Sequence, residues 1–288
     1  MVFTSNSMGD GDRITVMWPE EQLADALIFD QTTATMRLET DSDMVQVPYV
    51  DGDLNADLVN EGAEISPKDA RMSVITVTTR KIANLTVISR ETYTKLSSSA
   101  SGAGRETSFV EGFFNSFTNS VTEKADQLLL ANQPTEDKPG PTGLLHTTGI
   151  VDGGNITDTL DPLLDAIATV SDNGGTPTSI IMGYDSWAYL LKLRDSEGRS
   201  VIAADVANTP TPMLYGLPVI LNRHTPRNTI LLNDRHEIVS AYGPVEIART
   251  DDRYFEQDSI GLRWTFRMGF GVVHPKRLAK LTTGASSK

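Results

Sequence analysis

Residues 51–62 are the chain's nearest approach to a chemical site. Asp51-Gly-Asp53-Leu-Asn55 places oxygen ligands at the first, third and fifth positions of a would-be calcium loop. The pattern fails where such a loop closes on its ion. Ala56 occupies the sixth position, which needs a turn glycine, and Gly62 occupies the twelfth, which needs a bidentate glutamate. The segment therefore reads as an acidic turn. His146, His224, His236 and His274 show no ligand spacing, and each reads as a surface or internally satisfied residue. Gly102-Ala-Gly104 lacks the third glycine and the preceding strand of a dinucleotide fingerprint. Neither a Walker sequence nor a G-x-S-x-G elbow occurs. With no cysteine, thiolate nucleophiles, thiolate metal sites and disulfides are excluded. Carboxylates abound, but no spacing nominates an acid and a base. The expectation is a chain that is not an enzyme and has no cofactor or metal site.

A mechanical feature stands out instead. Val74 to Ser89 is a long strand-forming run with an Arg80-Lys81 doublet at its centre. Val74, Ile75 and Val77 before the doublet, and Ile82, Leu85, Val87 and Ile88 after it, suit a pleated, half-buried surface. Two adjacent strand residues point to opposite faces, so at least one cation must reach water or a carboxylate. A strand passing between two bodies would accommodate both.

Charge is unevenly distributed along the 288 residues, whose net charge is −13. Residues 1–64 hold 14 acids against Arg13 and Arg37, while residues 259–288 hold no acid and six cations. The overall sign argues against a protein whose main task is gripping phosphate backbones. The two ends are either solvated faces or a complementary pair that meets between neighbouring copies. No stretch approaches the roughly 20 apolar residues of a membrane span. Met1–Thr15 lacks the basic and apolar regions of a signal peptide, so the protein is expected to be soluble and not exported by that route.

The elements that would position these residues can be read in outline. A short helix is expected from Glu20 to Phe29 behind Pro19, with Leu23, Ala26 and Leu27 on one side. Val45, Val47 and Tyr49 alternate with polar residues, and the chain returns through residues 72–79, which predicts a long two-stranded excursion. Such a hairpin is marginal in water unless something covers it. Phe109, Phe113, Phe117, Val121, Ala125 and Leu129 recur at spacing four, so a long core-facing helix runs through them. A Ser108/Glu111 capping box is expected before it and a stop near Pro134 after it. Residues 156–258 alternate helix and strand as a compact α/β unit, with helices capped at Asp161 and Asp185; Leu163, Leu164, Ile167 and Val170 point inward. Leu262, Trp264, Phe266, Met268, Phe270 and Val272 then alternate with Arg263, Thr265, Arg267, Gly269 and Gly271 in a closing strand.

An ordered series of short motifs resembles the major capsid proteins of tailed phages, with the Hong Kong 97-type fold. Glu61-Gly62-Ala63-Glu64-Ile65 is similar to the glutamate-glycine turn of that family's extended loop. Arg80-Lys81-Ile82-Ala83-Asn84-Leu85-Thr86-Val87-Ile88-Ser89 resembles the strand leaving the loop. Gly140-Pro-Thr-Gly143-Leu-Leu145 resembles the segment after the spine helix, and Leu214-Tyr-Gly216-Leu-Pro218-Val219 a motif of the axial domain. Leu58 departs from the pattern where a tryptophan is common, and Asn233-Asp234-Arg235 replaces glycine-aspartate-aromatic.

The resemblance implies an α+β fold with an N-terminal arm (residues 1–39) and an extended loop (40–78). A peripheral domain with the spine helix (79–148), an inserted axial domain (149–258) and peripheral C-terminal strands (259–288) would follow. It implies a subunit that self-assembles as hexamers and pentamers into the icosahedral head shell of a double-stranded DNA bacteriophage. The virion is its place, with assembly in the host cytoplasm. The implied partners are further copies of itself, a separate scaffolding protein, a portal protein, and double-stranded DNA enclosed without sequence-specific binding. No membrane partner is expected. Glu61, Gly62, Glu64, Arg80, Lys81, Arg263 and Arg267 are the expected inter-subunit contacts. The alternatives are an encapsulin-type nanocompartment shell, or an unrelated soluble α/β protein.

Overall fold

The computed structural model describes residues 14–17, 19, 23–37, 43–50, 58, 71–92, 94, 105–136, 140–194, 197–202 and 212–284. Strand β1 (Ile14–Met17) comes first, and turns that bury Leu23 and Ala26 lead to helix α1 (Leu27–Asp30). Among the described residues the helix expected from Glu20 to Phe29 is not continuous: Pro19 is helical and accepts the Leu23 N–H at 2.7 Å, and Leu27–Asp30 forms a separate turn. Ala26 is extended, with φ −74° and ψ 131°, and no helix can run through that geometry. Strand β2 (Thr33–Arg37) follows. Strands β3 (Met44–Val50) and β4 (Met72–Thr78) pair antiparallel from Met44↔Thr78 to Val50↔Met72, as the alternation predicted. Strand β5 (Arg80–Ser89) begins one residue later, in a different sheet. The single run expected over Val74–Ser89 is thus two strands. Thr79, fully buried, still donates its N–H to the Asp43 carbonyl at 2.9 Å, and from Arg80 onward the run pairs with β13 instead, so the Arg80-Lys81 doublet opens the second strand.

Helix α2 (Arg105–Ala131) starts before Ser108, which therefore lies in its first turn rather than at its cap. Phe117, Val121, Ala125 and Leu129 are buried at the expected spacing of four. The α/β stretch runs through β6 (Val151–Ile156), α3 (Asp161–Asp172), β7 (Ser179–Met182) and α4 (Tyr184–Leu191). It continues with β8 (Met213–Leu214), β9 (Leu217–Leu221) and β10 (Thr229–Asn233). Leu160 rather than Asp161 caps α3, and Gly183 rather than Asp185 caps α4. The Asp185 carboxylate instead accepts the Asn228 N–H at 2.8 Å. Leu163, Ala166 and Val170 define the buried stripe of α3, which leaves Leu164 exposed on its flank, contrary to expectation. Strands β11 (Ile238–Tyr242), β12 (Val245–Thr250), β13 (Ser259–Val272) and β14 (Ala279–Thr283) complete the chain.

Two six-stranded sheets organise these elements. In the first, the long β13 carries β5 along one edge and β12 followed by β11 along the other; β1 and β2 flank these. The second has the order β6-β14-β10-β7-β9-β8. Sheet membership cuts across the expected boundaries. β11 and β12 fall within residues 149–258 yet join the first sheet, whereas β14 falls beyond residue 258 yet lies between β6 and β10 of the second. Within residues 1–39, β1 and β2 are strands of the first sheet.

Period-two alternation gives each sheet two distinct faces. Ile180, Met182, Ile230 and Leu232 meet Leu163 and Leu190 of the α/β helices, while Ile181 and Leu231 face the other core with α2. There Phe117 stacks on Trp264 of β13 with ring centroids 4.3 Å apart, a pairing worth about 0.5–1.5 kcal/mol beyond burial. The β3–β4 hairpin lies on the opposite face of β13. Val45, Val47 and Val77 pack with Val239 and Ala241, and Gly269 and Gly271 let the hairpin approach. A Cβ at Gly269 would sit 2.5 Å from the Thr78 carbonyl oxygen. Close backbone approach, rather than turn geometry, accounts for that glycine.

Candidate assembly interface

The hairpin gives the candidate surface its shape. Its inner face is consumed by β11 and β13, which leaves Met44, Pro48, Val50, Met72 and Val74 on the outer face, with Met72 71% exposed. Large exposed apolar patches of this kind mark interaction sites on soluble proteins. Glu61, Gly62 and Glu64, the expected tip contacts, lie outside the described residues. Leu58 is exposed.

The other expected contacts gather on β5 and β13. Register places Lys81 opposite Arg267 and Leu85 opposite Arg263. The doublet splits as the pleat requires: Lys81 is exposed, whereas Arg80 turns to the α2 side, where its Cγ lies near Gly140. Arg80 Nε is buried with no hydrogen-bond partner. Arg267 is engaged within the chain. Its Nη1 donates to Asp43 Oδ1 at 2.6 Å and to Thr79 Oγ1 at 3.3 Å. Arg263 is exposed, beside the exposed Leu85 and Val87. This face therefore joins a cation to an apolar strip, a composition that suits a protein partner.

Sequence reasoning missed two further residues. Phe255, in the turn between β12 and β13, is 79% exposed. Beside it Arg90 pairs with Asp258 at 3.2 Å. A lone phenylalanine in a charged run gives no sign of which way it points. Asp126 is the second. Only 3% exposed, it accepts the Leu27 N–H at 2.9 Å through Oδ1 and Asn222 Nδ2 at 2.6 Å through Oδ2. One carboxylate on α2 thus ties the N-terminal segment to the α/β unit. Burial pushes its pKa up from 3.8, against the pull of these two donors and of nearby His224 and Arg223.

Glu237 binds His274 Nδ1 at 2.7 Å and Arg277 Nη1 at 2.8 Å, so His274 has a structural partner. Among the described residues no group of three or more His, Asp or Glu could hold a metal ion, and no helix is long and apolar enough to cross a membrane.

Comparison with known proteins bears on the fold and the family. No curated protein matches the chain. Among solved structures, a protein of Gordonia phage Cozz superposes with a TM-score of 0.67 at 14% identity, over 99% of this chain and 92% of that one. The capsid of a native GTA particle gives a TM-score of 0.66 at 16% identity, over 90% of each chain. A protein of Mycobacterium phage Adephagia gives 0.66 at 12% identity, over 99% of this chain and 95% of the other. At such identities the likeness is one of fold. The family itself is fixed by sequence: the profile of the phage capsid family matches residues 25–283, and the chain belongs to that family.

Proposed function

We propose that this chain is the major capsid protein of a tailed bacteriophage, and that copies of it close into an icosahedral head shell through contacts of the hairpin with a neighbouring subunit. The observation that carries the reading is the exposed apolar outer face of the β3–β4 hairpin, which a single subunit leaves in water. Residues 40–78 act as the extended loop. In this reading the carboxylates of Glu61 and Glu64 are complementary in charge to Arg263 and Lys81 of the next subunit. Complementary charge there sets register and steers encounter more than it adds affinity. Arg80 and Lys81 stand where the loop rejoins the body, and Arg267 holds the loop's base.

The sheet built on β13 serves as the peripheral body and the α/β sheet as the axial one. A separate scaffolding protein and a portal act with the shell, which assembles in the host cytoplasm and encloses double-stranded DNA without reading its sequence. The capsid family match favours a viral shell over a nanocompartment. Expression with and without scaffold, followed by sedimentation and negative-stain microscopy, tests the reading. Regular shells that hold DNA in the virion support it. A lone 31.4 kDa monomer under all conditions refutes it, and shells filled with a protein cargo would turn it to the nanocompartment.

A further inference from the structure

Asn173-Gly174 is the only asparagine-glycine step in the sequence, and it lies where the two sheets are tied together. Asparagine is a thermolabile residue, and a following glycine makes it more so by offering an unhindered backbone nitrogen. Here the step closes helix α3. Asn173 caps its C-terminus with φ −80° and ψ 7°, and Gly174 follows at φ +78°, a left-handed conformation that favours glycine. The Asn173 side chain is engaged twice, since Nδ2 donates to the Thr169 carbonyl at 2.9 Å and to the Lys276 carbonyl at 3.1 Å. Its backbone carbonyl accepts Arg277 Nε at 3.0 Å, and Arg277 Nη1 donates to Glu237 at 2.8 Å. The end of α3 is thereby joined to the turn between β13 and β14 and, through Arg277, to the residue that precedes β11 of the first sheet.

We propose that Asn173 is a modification site, deamidated by its own chain, which the helix cap holds inactive while this joint is closed. In the reaction the Gly174 backbone nitrogen attacks Asn173 Cγ, its proton passes through water to the leaving amide nitrogen, and the Cγ–Nδ2 bond breaks with release of ammonia. Water then opens the five-membered succinimide at either carbonyl and leaves aspartate or isoaspartate, so water is the one co-reactant. The closed cap blocks the first step twice. The Gly174 N–H is donated to the Ser171 carbonyl at 2.9 Å, and the two carbonyls that accept Nδ2 hold the amide in place. Both residues are exposed, so opening the last turn of α3 brings water to the step without unfolding the core. The product does not rebuild the joint. A carboxylate at this position has no N–H for the Thr169 and Lys276 carbonyls, and it competes for Arg277 with the mostly buried Glu237, which is then left to His274. Isoaspartate also lengthens the backbone by a methylene beside Gly175, where even a Cβ would come within 2.8 Å of Val170 Cγ1 and 2.9 Å of Arg277 Cβ. Each subunit whose cap has opened for long enough is marked irreversibly.

Incubation of the full chain at mildly alkaline pH, folded and in urea, tests the proposal without any substitution. Mass spectrometry follows the peptide that carries Asn173, with isoaspartate separated by chromatography. The unfolded chain should convert many-fold faster than the folded one; equal rates in the two states, or no conversion in the unfolded chain, overturns the proposal. The factor by which folding slows conversion should match the hydrogen-exchange protection of the Gly174 amide in the same sample. A factor that matches the larger protection of the β10 and β14 amides would mean that global unfolding exposes the step, and would remove the cap's role. Asn173→Asp, at an exposed position, reproduces the aspartate product. It should lower exchange protection several-fold at the end of α3 and in Ala279–Thr283 while the β12–β13 ladder keeps its own, and unchanged protection there refutes the effect on the joint.

Discussion

Arg267 on β13 and Asp43 at the foot of the hairpin meet across 224 residues of sequence, with Nη1 2.6 Å from Oδ1. The two ends of the pair live in different surroundings. The Arg267 side chain is 12% exposed and that of Asp43 is 73% exposed. Arg267 therefore keeps Thr79 as a partner if Asp43 is lost, whereas a mostly buried guanidinium leaves a gap if Arg267 is lost. The pair orients the hairpin more than it stabilises the fold.

Asp43→Ala should accordingly cost the folded subunit about 1 kcal/mol or less, the usual range for a solvent-reached ion pair. Its effect should appear instead as faster amide exchange in Met44–Val50 and slower shell formation. Denaturant titration and hydrogen exchange of the same sample separate the two. Unchanged exchange in β3 would contradict the orienting role.

Gly269→Ala places a methyl group against the Thr78 carbonyl and Thr79 Cα, neither of which can rotate away. Overpacking of this kind costs about 1–3 kcal/mol. The hairpin, held by fewer contacts than the sheet, should yield first. The β3–β4 strands should lose exchange protection while β13 keeps its own, and shells should fail. A variant that retains full protection in β4 would show that the close approach is not needed.

The long helix and the closing strand were legible because their patterns are local: spacing four from Phe117 to Leu129, and alternation from Leu262 to Phe270, each declare a face without reference to a partner. What pairs with what was not legible. The five residues of β14 carry an alternation that either sheet could accept; after the turn at Pro275–Arg277 they pair with β6 and β10. What reads as one strand divides after Thr79 because the chain changes partner there, from β3 at Asp43 to β13 at Met268. Arg267 belongs to the expected contact set by its charge, yet that charge is used within the chain. Asp126 gave no signal, since Leu27 and Asn222 each lie about 100 residues away.

Phe255→Ser tests whether the β12–β13 turn is an assembly contact. The side chain touches little of its own subunit, so the folded monomer should change by no more than about 0.5 kcal/mol. Assembly should fall sharply, because an exposed phenylalanine gains its full burial only against a partner. Light scattering during assembly, beside a melting curve of the monomer, provides the comparison. Normal shells from the serine variant would remove this residue from the interface.

Asp126 makes stability depend on pH in a direction opposite to that of an ordinary ion-paired carboxylate. Its folded pKa is raised above 3.8, so the folded chain holds this proton more tightly than the unfolded chain does. Protons therefore favour folding at this site. The contribution is fully present below 3.8 and is lost as pH rises through the raised value. Asp126→Asn removes the titration. It keeps an oxygen to accept the Leu27 N–H, but it sets a second amide donor against Asn222 Nδ2, whose own Oδ1 already accepts the His224 N–H at 2.7 Å. That mismatch should cost about 1–3 kcal/mol at low pH. Urea titrations from below 3.8 to neutrality should show the unaltered protein losing stability relative to the asparagine variant as pH rises, and the gap between them narrowing. A gap that widens with rising pH would mean that the donors from Leu27 and Asn222 outweigh burial. In that case Asp126 would act as a stabilising clamp, rather than a buried charge kept at a cost to fix how the N-terminal segment and the α/β unit dock.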